Sequence, residues 1–235
     1  MQGWSWLHWA RVTAPDRRDG PAPAHPATDR FRVRPVGSGA ILVEVDPPDA
    51  VRSLASWVNG HRLRRSLREV IPAAETLFLS GEPSILRAIG SELLALGTIE
   101  PSPERAGGRR VTVDVRYDGA DLREVAGRLG LSPDDVVDMH SSADHVVEFF
   151  GFAPGQAFFG RLPESLQLPR RATPRTLVPS GALAIANGFT VIYPDHSPGG
   201  WNLIGTRLSE PLWDIRKTPP NQLEVGDVVR FRPCR

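Results

Sequence analysis

The sequence predicts a small α+β domain followed by a mainly β barrel domain, and three observations predict it. Residues 31–100 carry apolar patterns in the order β-β-α-β-β-α, the signature of helices covering one face of an antiparallel sheet. Residues 101–110 then break the pattern with prolines, glycines and clustered charge. From His145 onward short β-like runs alternate with Gly/Pro turns, as in a closed or nearly closed barrel.

Taken in order, residues 1–30 combine three tryptophans (Trp4, Trp6, Trp9) with a Pro/Ala-rich, aperiodic stretch, and are expected to be a disordered extension. Phe31–Val36 and Ala40–Val45 flank Gly37-Ser38-Gly39 and predict a hairpin. Ala50, Val51, Leu54, Ala55 and Val58 recur at helical spacing and stop at Asn59-Gly60. Leu67–Ile71 and Thr76–Leu79 read as strands, and Pro83–Leu96 as a helix ended by Gly97. After the 101–110 linker, Val111, Val113, Val115 and Tyr117 alternate as one strand of the second domain, 111–235. A helix with Leu122, Val125, Ala126 and Leu129 on one face follows. Ser132-Pro133-Asp134-Asp135 opens another, with an N-cap serine, proline at the first position and acids facing the positive end of the dipole. Leu183–Ala186 and Thr190–Tyr193 joined by Asn187-Gly188 predict a tight hairpin, since both central residues must tolerate positive φ.

Bulk properties exclude several functions. With 28 basic and 27 acidic residues the net charge is +1, which gives no reason to expect nucleic acid or an anionic membrane as partner. No apolar run is long enough to span a bilayer, and the N-terminus lacks a signal-peptide pattern. The single cysteine, Cys234, fits a reducing compartment. The expected location is cytoplasmic. No His/Cys/Asp cluster at metal-ligand spacing appears, so no metal is expected. Lys217 is the only lysine and no GxxxxGK[ST] loop exists, so ATP is not expected to be held through a P-loop.

Three blocks of the second domain have the character of a site: GFAPGQAFFGRL (151–162), PRRATPRTLVPSGALAI (169–185) and YPDHSPGGWNLIG (193–205). Each couples Pro/Gly backbone constraint to aromatic or charged side chains, so that the loops hold those side chains in place. In order and spacing they resemble the allophanate hydrolase subunit 1 family, which includes the B-type subunit of bacterial 5-oxoprolinase and a sporulation kinase inhibitor. The closing LEVGDVVRF (223–231) fits as well, and the resemblance covers about residues 31–233. It implies that the barrel is cyclophilin-like. It also implies two partners, a C-type subunit of the allophanate hydrolase subunit 2 family and a lactam-binding subunit, in a complex converting 5-oxoproline to glutamate with ATP. A binding module that inhibits a sensor histidine kinase, and a component of urea or allophanate metabolism, are the alternatives. Gln156 replaces a family aromatic, while Arg161, Phe189 and Val191 replace family glycines.

Given that resemblance, Arg171, Thr173 and Arg175, with Pro198, Gly199, Gly200 and Trp201, are the candidate substrate-binding residues. A guanidinium grips a carboxylate or phosphate through two parallel hydrogen bonds. The competing role for Arg170, Arg171 and Arg175 is internal ion pairing, and for Trp201 a place in the core. His196 and Asp195 are the candidate proton carriers, with His140 a further histidine to consider. Phe152, Phe158 and Phe159 are the candidate partner-facing aromatics, with core packing as the alternative.

Overall fold

The computed structural model describes residues 31–46, 50–97, 99 and 108–234. The extension assigned to 1–30 and most of the 101–110 linker lie outside the described residues.

Strands β1 (Phe31–Val36), β2 (Ala40–Val45), β3 (Leu67–Pro72) and β4 (Thr76–Gly81) form an antiparallel sheet in the order β1-β2-β4-β3. Alternation along each strand decides which face is covered. Phe31, Ile41, Val43, Val45, Leu67, Leu77 and Leu79 point into one core with the apolar stripes of α1 (Val51–Gly60) and α2 (Pro83–Leu96). Pro83 occupies the first turn of α2, where its missing N–H costs nothing, and Gly97 ends the helix at φ 70°.

The second part is a closed seven-stranded barrel in the order β10-β7-β6-β13-β5-β12-β9. Its strands are β5 (Arg110–Arg116), β6 (His145–Phe150), β7 (Ala157–Gly160), β9 (Ala182–Ala186), β10 (Phe189–Ile192), β12 (Asn202–Arg207) and β13 (Val228–Pro233). All neighbours are antiparallel except β13, which lies parallel to β5 from Val228↔Arg110 to Pro233↔Val115 and completes the ring. The β9–β10 turn uses Asn187 and Gly188, both at positive φ, as a two-residue hairpin turn demands. Two short strands, β8 (Arg175–Val178) and β11 (Ser197–Gly199), pair outside the barrel.

Inward-facing Val113, Val115, Val147, Phe159, Leu183, Ile185, Ile204, Val229 and Phe231 fill the barrel. Helices α3 (Leu122–Leu129) and α4 (Pro133–Ser142) add Leu122, Val125, Ala126 and Val136 to that core. Helix α4 begins with a full capping box: the Ser132 side chain accepts from the Asp135 N–H, and Asp135 accepts from the Ser132 N–H. A second apolar layer lies on the outer wall of β9, β10 and β12, where Ala184, Val191, Tyr193, Trp201 and Leu203 pack together. Arg52 of α1 donates to both carboxylate oxygens of Glu148 on β6 at 3.1 Å, tying the first sheet unit to the barrel.

Inside the barrel sits a polar chain. Fully buried His140 is 2.7 Å from the Tyr117 hydroxyl through Nδ1 and 3.0 Å from the Thr190 hydroxyl through Nε2. His145 Nε2 is 2.9 Å from the His140 carbonyl, so it carries the proton and donates. Burial holds His140 well below the ordinary imidazole pKa, with His145 adding to the effect, and burial also lowers His145.

Candidate functional site

The site is organised around a residue that has no signature of its own in the sequence. Asp121 immediately precedes α3 and is 3% exposed. Its N–H donates to the Leu203 carbonyl at 2.9 Å, and its Oδ2 accepts the Leu203 N–H at 2.8 Å, so α3 is pinned to β12. The other oxygen, Oδ1, accepts from Arg171 Nη1 at 2.9 Å and Arg175 Nη2 at 2.6 Å. One buried carboxylate therefore holds two guanidinium groups, and its charge is compensated by three donors.

Each arginine has a second constraint. The Arg171 N–H donates to the Gly200 carbonyl at 2.7 Å, fastening the 169–175 segment along the Gly200 turn. Its guanidinium also meets Glu124 Oε2 at 3.0 Å, and Glu124 followed by Asp121 raises its pKa. Arg175 starts β8 opposite Gly199 of β11. Its Nη1 is buried and has no hydrogen-bond partner among the described residues, which leaves a donor unused beside the Asp121 clamp.

The wall next to the arginines is aromatic. Phe149 and Phe158 stack at 4.4 Å, and Phe158 meets Trp201 edge-on at 5.7 Å. Arg170 lies 5.6 Å over the Trp201 ring, a cation–π contact. Trp201 itself is 6% exposed, so its ring is a packed element of the wall. A Cβ at Gly199 would overlap the Tyr193 hydroxyl, which is why the β11 turn can lie so close to that ring. Burial raises the Tyr193 pKa despite nearby Arg170 and Arg175.

The structure thus brings together Arg171, Arg175, Gly199, Gly200 and Trp201. Thr173 and Pro198 are exposed at the margin of this cluster. Asp195 and His196 sit on an exposed turn, where Asp195 Oδ1 accepts the His196 N–H at 2.7 Å. Among the described residues neither is hydrogen-bonded to the arginines or to Asp121. His140 is inside the barrel, its ring engaged on both sides. The three candidate partner-facing phenylalanines separate. Phe152 is 70% exposed and holds a positive φ of 69°, whereas Phe158 is half-buried in the aromatic wall. Phe159 is a correction: it is fully buried against Phe231 inside the barrel and offers no surface, because alternation on β7 turns it inward. Asp121, Glu124 and the half-buried Arg207 carry no motif that would single them out from the sequence. Among the described residues no group of three His, Cys, Asp or Glu side chains is placed to hold a metal ion, and no helix is long and apolar enough to cross a membrane.

Fold and site define a two-part protein: a helix-covered sheet joined to a seven-stranded barrel whose outer wall carries a carboxylate-clamped arginine pair beside an aromatic surface. The chain belongs to the carboxyltransferase domain, subdomain C and D, family, whose model matches residues 31–223. It is 39% identical over 212 residues to the B-type subunit of 5-oxoprolinase from Escherichia coli O157:H7, covering 87% of this chain and 96% of that one. It is 33% identical to the B-type subunit of 5-oxoprolinase from Haemophilus influenzae, covering 86% and 97%. Among solved structures, TTHA0988 superposes with a TM-score of 0.67 at 35% identity over 87% of this chain. The chain spans only 40% of the TTHA0988 chain.

Proposed function

We propose that this chain is the B-type subunit of a multi-subunit 5-oxoprolinase, which opens the lactam of 5-oxoproline to glutamate while hydrolysing ATP. The observation that carries this reading is nearly end-to-end similarity to relatives that bear the name of the B-type 5-oxoprolinase subunit. The partners are a C-type subunit of the allophanate hydrolase subunit 2 family and a lactam-binding subunit. The net reaction consumes one water at the lactam and one at ATP, giving glutamate, ADP and phosphate.

The arrangement of the arginines supports this reading. Asp121 anchors Arg175 through Nη2, and Nη1 is buried with no hydrogen-bond partner among the described residues, so a ligand reaches it once the loop over it moves. That donor suits one oxygen of a carboxylate or of a phosphorylated intermediate, where charge-assisted hydrogen bonds are strongest. Arg171 is committed to Asp121 and Glu124, and acts by positioning the Gly200 turn. Thr173, Pro198 and Gly199 form the margin, with Trp201 and Gly200 behind it. Asp195 and His196 are on an exposed turn that a neighbouring subunit would have to cover before they could move protons in a desolvated site. With Lys217 the sole lysine, this chain has no P-loop, so ATP used by the complex is not held here through that motif.

The test is co-expression with the C-type and lactam-binding subunits, followed by assay of ATP-dependent glutamate release. Arg175→Ala should abolish release while the complex still assembles. Failure of the folded subunits to associate or to release glutamate would overturn the proposal, and undiminished turnover by Arg175→Ala would remove that arginine from the site.

A further inference from the structure

A second guanidinium, remote from the Asp121 clamp in its hydrogen bonding, has buried donors that meet no acceptor among the described residues. Arg207 ends β12, opposite Val115 of β5, and its N–H donates to the Gly181 carbonyl at 2.8 Å. Its side chain enters a crevice at the mouth of the barrel lined by Gly155, Ala157, Phe159, Ile192, Leu212 and Trp213, among others. Both Nε and Nη1 are buried there and neither is hydrogen-bonded. Burial lowers the Arg207 pKa, and Glu210 opposes this through space without forming a hydrogen bond to it. Buried donors of a charged group are seldom left unmet, because each stranded N–H forfeits its hydration.

The crevice encloses about 10 Å³, room for a single oxygen-sized occupant. Trp213 is one of its walls. That residue lies on the irregular stretch between β12 and β13, packed so closely on Gly155 (φ 77°) that a Cβ there would overlap its ring. The turn holding Gly155 also presents exposed Phe152, and the stretch holding Trp213 also presents exposed Ile215.

We propose that Arg207 is the floor of a carboxylate-binding site at the barrel mouth, covered by Trp213. The N–H of Nε points along the guanidinium edge that it shares with Nη2, the edge that receives the two oxygens of a carboxylate in parallel hydrogen bonds. One oxygen fits the existing space, and the second requires Trp213 to move off Gly155. The carboxylate is carried either by a small free acid or by an acidic side chain of a protein segment that rests on Phe152 and Ile215. This inference stands independently of the 5-oxoprolinase reading.

The test uses the full chain, titrated with sodium formate or acetate against sodium chloride at matched ionic strength. The emission of Trp213 is isolated by subtraction of a Trp213→Phe variant. The proposal expects a saturable change with carboxylates and none with chloride, weakened at least tenfold in Arg207→Gln and less in Arg207→Lys. An equal response in Arg207→Gln, an equal response to chloride, or a change that rises linearly without saturation (an adventitious ion only) would overturn it. Should Arg207→Gln fail to fold, the wild-type saturation and the Arg207→Lys shift still decide. A blocked Leu-Glu-Leu tripeptide separates the two sources. Displacement of formate with tighter binding assigns the carboxylate to a protein segment, formate and acetate binding alone assign it to a free acid, and binding of none refutes the site.

Discussion

Asp121→Asn is the substitution that most directly tests the clamp. The variant keeps the side-chain volume and replaces one oxygen by an NH₂ group. With that group in the Oδ1 position, its hydrogens oppose the donors of Arg171 and Arg175; in the Oδ2 position they oppose the Leu203 N–H. Neither amide orientation satisfies all three. Removing one member of a buried ion pair costs about 3–5 kcal/mol. Arg171 and Arg175 are each 27% exposed, and Glu124 still holds Arg171, so about 2–3 kcal/mol is expected once water screening is allowed for. For a chain of this size that corresponds to a fall in Tm of roughly 4–12 °C. Thermal melts followed by circular dichroism give the number. In an Arg175→Ala background the same substitution should cost roughly 1 kcal/mol less, since one opposed donor is gone. A Tm within about 2 °C of wild type, or full additivity with Arg175→Ala, would refute the clamp as an energetic unit.

Three further outcomes follow from the barrel and its helices. His140 and His145 are held neutral by burial, so their contribution is intact above the unfolded imidazole pKa of about 6.5 and is lost as pH falls through it. Between about pH 7.5 and 5.5 the loss should reach up to about 3 kcal/mol for the pair, read by urea denaturation; a profile unchanged in His140→Gln would exclude His140 as a source. Gly119→Ala would place a methyl group into the backbone of Ile204 and Gly205, and should cost more than about 3 kcal/mol or prevent folding; a soluble variant melting like wild type contradicts this. Ser132→Ala removes one half of the α4 capping box and should cost about 0.5–2 kcal/mol by urea denaturation, against no change if the helix is held by packing alone.

Much of the chain's local structure was legible because the signals are local. The limits of β1, β2 and α2 follow from apolar runs bounded by glycine or proline, and Ser132-Pro133 marks the start of α4 by the chemistry of unpaired helix N–H groups. The Asn187-Gly188 hairpin was readable for the same reason: positive φ is a property of the residue itself. The site was legible only as loops. That Arg171 and Arg175 lie together beside Gly200 could be suspected from their Pro/Gly setting, yet their carboxylate is 50 and 54 residues away in sequence. Asp121, following Asp118-Gly119, reads as one more polar turn residue. Phe159 looked like its neighbour Phe158 because a GQAFFG run does not reveal which aromatic faces inward until the strand register is known. Arg207 gave no signal, since a guanidinium with stranded donors is a fact about absent neighbours.

The parallel pairing of β13 with β5 sets a timetable for the chain on the ribosome. Strand β5 is the first strand of the barrel to be made, yet one of its edges has no neighbour until residues 228–233 have been synthesised. All four strands of the β1–β4 sheet and both of its helices, by contrast, have been made by Leu96. The first unit can therefore mature while the barrel is still an open sheet, with β5 and β6 presenting bare edges on either side of the gap that β13 will fill. Premature termination anywhere after Arg207 and before Val228 yields a chain with all the residues of the arginine clamp and an unsealed barrel, the product most exposed to strand-edge aggregation.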